Sequence, residues 1–201
     1  GYEWSTICSI AENKNQSSQL LKVSHNNDNI HIAIFGNQMS GNYQLYIDSD
    51  NNSNTGYYAS WWRLNGIDYM IENGILYKSK GTSFDWQKLD DLQIEYKAHS
   101  ELIEIKINKS YLTGLTDEFK VGYVELSNNF KVLTRLPADS FMPEYNQTKG
   151  FNISNPVTRM KILVPAYFDP NSDWGRIEKI AKKNPDRVFI IANPYNGPDS
   201  T

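Results

Sequence analysis

The chain has 201 residues, a formal net charge of −3 and a sequence pI near 5.6. With no basic stripe, that balance argues against nucleic acid or an anionic membrane surface as partner, and no apolar run is long enough to insert into a bilayer. Cys8 is the single cysteine, which excludes an internal disulfide framework and a cysteine-based zinc cluster.

Residues 18–135 alternate apolar and polar side chains with period two, the pattern of strands with one buried face. Ile30, Ile32 and Ile34 mark one face of a first strand, and Tyr43, Leu45 and Ile47 mark the next. Ile67 to Glu72 runs through Asn73-Gly74 into Ile75 to Lys78. Asn-Gly between alternating runs predicts a hairpin, because a type I′ turn needs positive φ at both central residues. Ile94 to Tyr96 and Leu102 to Ile107 flank a turn at His99-Ser100, and Phe119 to Leu126 pairs with Phe130 to Arg135. Eight or nine such strands make a mainly β fold, an antiparallel β-sandwich of jelly-roll type over residues 1–150. Residues 136–157 lose the alternation and carry Pro137, Pro143, Gly150 and Pro156, a linker or wrapping segment whose last part, 151–157, separates two domains.

From Arg159 the pattern changes. Met160 to Phe168 is a near-continuous apolar strand, as in a parallel sheet covered on both faces. Asp173 caps a helix whose Trp174, Ile177, Ile180 and Ala181 share one face; Asn184-Pro185 ends it, and Arg187 to Ala192 forms a second strand. One helix covering one face of two strands cannot by itself bury enough apolar surface to offset the ordering of this βαβ piece, residues 158–201, so it is expected to lean on the sandwich, on another copy or on further barrel residues.

Chemistry concentrates in Asp48-Ser49-Asp50-Asn51-Asn52-Ser53-Asn54-Thr55-Gly56-Tyr57, where a strand exits into a loop. Oxygens of Asp48, Asp50 and Asn52 can converge on a hard cation, with Asp68 from a later strand completing a structural calcium site. The loop is not an EF-hand, since Ser53 stands at the sixth position and Ala59 at the twelfth. The alternative is an Asx-rich turn that holds no ion. Tyr57, Tyr58, Trp61 and Trp62 follow at once; adjacent tryptophans cannot both face a core, so at least one ring is open. Flat rings suit the apolar faces of sugars, and Arg63 or Asp68 can reach hydroxyls, which makes Tyr57, Trp61 and Trp62 candidate polysaccharide contacts. Trp4 and Trp86 read as core or edge residues. His25, His31 and His99 have no metal spacing, and the acidic pairs Glu101/Glu104 and Asp90/Asp91 read as solvated faces with no acid–base role.

Tyr46-Ile47-Asp48-Ser49-Asp50-Asn51, Thr55-Gly56-Tyr57 and Gly66-Ile67-Asp68-Tyr69-Met70-Ile71-Glu72-Asn73-Gly74 resemble the family-9-like carbohydrate-binding and DOMON-related sandwiches. That resemblance implies a calcium site at Asp48 and Asp50. Ile162 to Phe168, Trp174 and Ile190 to Pro198 are similar to the start of the spherulin-4-like family, which implies a (β/α) barrel and, in some members, glycoside hydrolysis. It would set Tyr167, Asp169 and Asn193 at the barrel mouth, where substrates bind. The acidic catalytic residues of such a hydrolase belong to later strands, so the resemblance implies that this stretch is inactive by itself, the start of a longer glycoside hydrolase. The first expectation is therefore a carbohydrate-binding module attached to a polysaccharide hydrolase, extracellular or at the cell surface, of unassigned oligomeric state. The alternatives are the ordered part of a spherulin-4-like hydrolase, with the sandwich as scaffold, and a structural adhesion domain.

Overall fold

A computed structural model describes Trp4 and residues 7–13, 19–62, 64–138 and 142–149. All belong to the first of two units, Gly1–Ser154. The second unit, Asn155–Thr201, lies outside the described residues, and with it the expected strand–helix–strand and Tyr167, Asp169 and Asn193.

Among the described residues fourteen strands follow one another: β1 (Ser9–Asn13), β2 (Gln19–His25), β3 (Asn29–Phe35), β4 (Asn42–Asp48), β5 (Tyr57–Ala59), β6 (Leu64–Ile67) and β7 (Tyr69–Glu72). Then come β8 (Ile75–Ser79), β9 (Trp86–Lys88), β10 (Glu95–Ala98), β11 (Leu102–Asn108), β12 (Glu118–Leu126), β13 (Val132–Leu136) and β14 (Glu144–Asn146). No α-helix occurs among the described residues. A five-stranded sheet has the order β1-β2-β3-β11-β10; a seven-stranded sheet has the order β13-β12-β4-β7-β8-β9, with β14 also on β12. β5 and β6 form a separate ribbon. All pairings are antiparallel, so the mainly β sandwich expected from the alternation is the observed fold.

Register explains the core. On β3, Ile30, Ile32 and Ile34 stand opposite Ile107, Ile105 and Ile103 of β11, and on β4, Leu45 and Ile47 stand opposite Tyr123 and Val121 of β12. These side chains, all buried, share one cluster with Leu21, Tyr69, Ile71 and Phe119. Directly opposed β-branched and aromatic pairs are the unit of sheet stability. A one-residue slip would turn either set outward, so the isoleucine pattern also fixes the pairing.

The count of eight or nine strands is too low. The β5–β6 ribbon, β9 and β14 have only three or four residues each, too short for alternation to register. Of the segment read as linker or wrap, Met142–Lys149 contributes β14, whose Tyr145 pairs with Phe119 and lies in the core.

Candidate functional site

Period two places a second set of side chains on the outer face of the seven-stranded sheet: Gln44 and Tyr46 of β4, Met70 and Glu72 of β7, and Tyr77 of β8. Tyr46 and Met70 are buried there in a cluster apart from the main core. What covers them is the segment after β5, the β8–β9 turn and the β12–β13 hairpin. Between these elements runs an open cleft of about 530 Å³. Gln44, Glu72 and Tyr77 give it polar groups, Tyr46 and Met70 form its floor, and Trp61, Phe84 and Trp86 wall one side. Phe130 and Val132 line it from the β12–β13 hairpin.

Aromatic contacts hold the wall. Trp62 is 2% exposed, while Trp61, stacked on it at a centroid distance of 5.7 Å, is 43% exposed. Trp62 Nε1 donates to the Pro137 carbonyl at 3.2 Å, and Trp61 Nε1 donates to Tyr57 Oη at 3.2 Å. Tyr57 is buried and meets Phe84 and Trp86 edge to face at 5.3 and 5.5 Å. The expected sugar contacts therefore divide. Trp61 presents an exposed ring, whereas Tyr57, turned toward the sheet on β5, and Trp62, in the turn after β5, are buried beside it and support it. Arg63 lies outside the described residues.

The floor is hydrogen-bonded. Tyr46 Oη donates to Gln44 Oε1 at 2.6 Å, and Gln44 Nε2 donates to Glu72 Oε2. Burial first, then Tyr57 and the Glu72 charge, push the Tyr46 phenol far above its ordinary range. It stays a neutral donor. The buried Trp86 indole N–H has no hydrogen-bond partner among the described residues.

Phe130 stands at the tip of the β12–β13 hairpin with φ +58°, and it is 65% exposed. A left-handed conformation in a bulky residue costs about 1–2 kcal/mol. The Phe130 amide donates to the Ser127 carbonyl at 2.9 Å, and the Ser127 amide donates to the Lys131 carbonyl at 2.8 Å, which together fix this turn.

Beside the cleft, the loop after β4 brings Asp48, Asp50 and Asp68 together, each with a carboxylate oxygen within 4.8 Å of the others. Asp48 is fully buried, and Lys120, its register partner on β12, donates to Asp48 Oδ2 at 2.9 Å. Asp68 Oδ2 accepts from the Ser49 amide at 2.9 Å and the Ser49 hydroxyl at 2.8 Å. Asp50 Oδ1 accepts from the Asn52 amide at 2.9 Å. Gly66, at φ +84°, makes the approach possible: a Cβ there would fall 2.7 Å from the Asn52 carbonyl oxygen and 2.9 Å from Asp48 Oδ2. Burial raises the carboxyls of both Asp48 and Asp68, against the opposing pull of Lys120 on the first and of Ser49 on the second. Three carboxylates with one lysine suit an added hard cation, and the residues fit calcium by donor type. The Asn52 side-chain oxygen accepts from the Asn54 amide at 3.1 Å, and its carbonyl accepts from the Thr55 hydroxyl at 2.8 Å. Asp68 is committed to this loop and is no partner for a sugar in the cleft.

The sequence reading missed Tyr46, Glu72, Tyr77, Phe84 and Phe130, and set Trp86 in a core or at an edge. One signal was present: Tyr46 and Met70 interrupt the alternation with apolar residues on the face that should be polar. That is the mark of a second buried surface.

No family model matches the sequence, and no curated protein matches it. Among solved structures, the chain is similar to a family 9 carbohydrate-binding module from Caldicellulosiruptor kristjanssonii, solved in complex with cellotriose. The two are 10% identical with a TM-score of 0.43, over 84% of this chain and 92% of that one. A likeness of that degree carries no argument about the ligand of this protein.

Proposed function

We propose that this protein is a carbohydrate-binding module and that a polysaccharide chain lies in the cleft on the outer face of the seven-stranded sheet. The observation that carries the reading is the cleft's composition: exposed rings of Trp61 and Phe84 stand beside the hydrogen-bonding Gln44, Glu72 and Tyr77. Sugars offer the complement, apolar C–H faces for rings and hydroxyl edges for polar groups. A structural calcium ion held by Asp48, Asp50 and Asp68 belongs to the same proposal. It would neutralise carboxylates that one lysine offsets only in part, and stiffen the loop that leads to Tyr57 and Trp61. An extracellular or cell-surface setting fits such a module. Its attachment to a polysaccharide hydrolase rests on the resemblance of residues 158–201 alone.

The test is equilibrium binding of the full chain to bacterial and fungal polysaccharides, in calcium and in EDTA, with melting temperatures recorded in both. The expected result is retention by at least one glycan and a melting temperature that rises with free calcium, as mass action requires. Binding to none removes the carbohydrate reading. Identical melting in EDTA and in millimolar calcium removes the ion.

A further inference from the structure

Among the described residues, the charge that lines the cleft is one-sided. Glu72 is the only formally charged side chain among the described residues that line it. One of its oxygens accepts from Gln44, and no lysine or arginine among the described residues pairs with it. The cations nearby are occupied elsewhere. Lys88, opposite Tyr77 on β9, pairs with Asp90, and Arg135 donates to the carbonyls of Trp61 and Ala138. Lys131, beside Phe130 at the hairpin tip, is exposed to solvent.

The cleft that holds this carboxylate is lined by aromatic rings. Tyr46 lies 6.5 Å from Trp61 and 6.4 Å from Trp86, centroid to centroid, and Tyr77 and Phe84 line it as well. Aromatic faces are electron-rich and attract ammonium groups, most strongly where water is displaced. An uncompensated carboxylate among such rings attracts a cation by both routes and repels an anion.

Resting on the carbohydrate reading above, we infer that the cleft selects an amino sugar bearing a free, protonated amine, with Glu72 as the ammonium partner and the surrounding rings as its cage. A neutral N-acetylated sugar would keep the ring stacking and lose the ion pair. A uronic acid would meet Glu72 as a like charge.

The experiment is calorimetric titration of the full chain with a glucosamine tetramer, the matched N-acetylglucosamine tetramer and a galacturonate tetramer, alongside the neutral polysaccharides. It is run below and well above the pKa of the sugar amine, and repeated with Glu72→Gln. The expected result is at least a tenfold preference for the free amine over its N-acetylated form, which is about 1.4 kcal/mol. That preference should fall with added salt, vanish when the amine is neutral and vanish in Glu72→Gln. Equal or tighter binding of the N-acetylated or acidic tetramer overturns the inference. So does a preference that Glu72→Gln leaves unchanged, or retention by neutral glycans alone; in these cases the carbohydrate reading stands. Binding to no glycan overturns both.

Discussion

At Trp61 and Trp62 a single peptide bond separates a ring 43% exposed from one 2% exposed. Removing them should do different things. Trp62→Ala opens a cavity beside Tyr46 and Met142 and should cost about 3–5 kcal/mol in denaturant unfolding. Trp61→Ala should change stability by much less and act on ligand affinity. The sequence said that both rings could not be buried; which one was free is set in the turn after β5, where alternation does not reach. Asp48 and Asp68 carry a second prediction at this scale. Their folded-state carboxyls are raised above the unfolded value of 3.8, so the folded state holds these protons more tightly than the unfolded chain does. Their contribution to stability is full below that value and is lost as pH rises through the raised folded values. As pH rises above 3.8 in EDTA, wild type should lose stability relative to Asp68→Asn. If the proposed ion binds, calcium should reverse that trend, because it needs the carboxylates ionised. A wild type that gains on Asp68→Asn with rising pH in EDTA contradicts the burial argument.

Two hairpins carry the predictions at the scale of elements. Asn73 at φ +48° and Gly74 at φ +87° adopt the turn that their sequence predicts between β7 and β8. Gly74 also lies under Tyr96, whose Cε1 would meet a Cβ there at 2.2 Å. Gly74→Ala therefore combines a disfavoured φ with a clash and should destabilise by about 1–3 kcal/mol; a neutral effect would mean that Tyr96 moves aside freely. At the β12–β13 hairpin the expectation runs the other way. Asn tolerates the left-handed conformation of Phe130, so Phe130→Asn should raise stability by up to about 1 kcal/mol and weaken glycan binding. Unchanged affinity would remove Phe130 from the cleft wall. The first hairpin was legible because its turn chemistry is local. The function of the second was not, since nothing near Phe130 in sequence indicates the side chains of β4 and β7 that share its cleft.

For the whole described sandwich, alternation gave the architecture and the Asp-rich loop pointed to Asp48, Asp50 and Asp68, which stand together in the structure, but the cleft is a long-range product of sheet order. Gln44 meets Glu72 because β4 pairs with β7, and both meet Trp61 and Phe84 only after the β5–β6 ribbon and the β8–β9 turn fold over the sheet. Sequence spacing does not encode that meeting; pairing does. The account's central claim is that this assembled face, with Trp61 as its open ring, binds a glycan. The most direct test is titration of the full chain and of Trp61→Ala with the tightest-binding polysaccharide, with melting temperatures measured alongside. The account predicts measurable binding by wild type and a loss of about tenfold or more in the variant, the loss expected of an aromatic hot spot, with little change in melting temperature. Affinity that survives Trp61→Ala undiminished would contradict it.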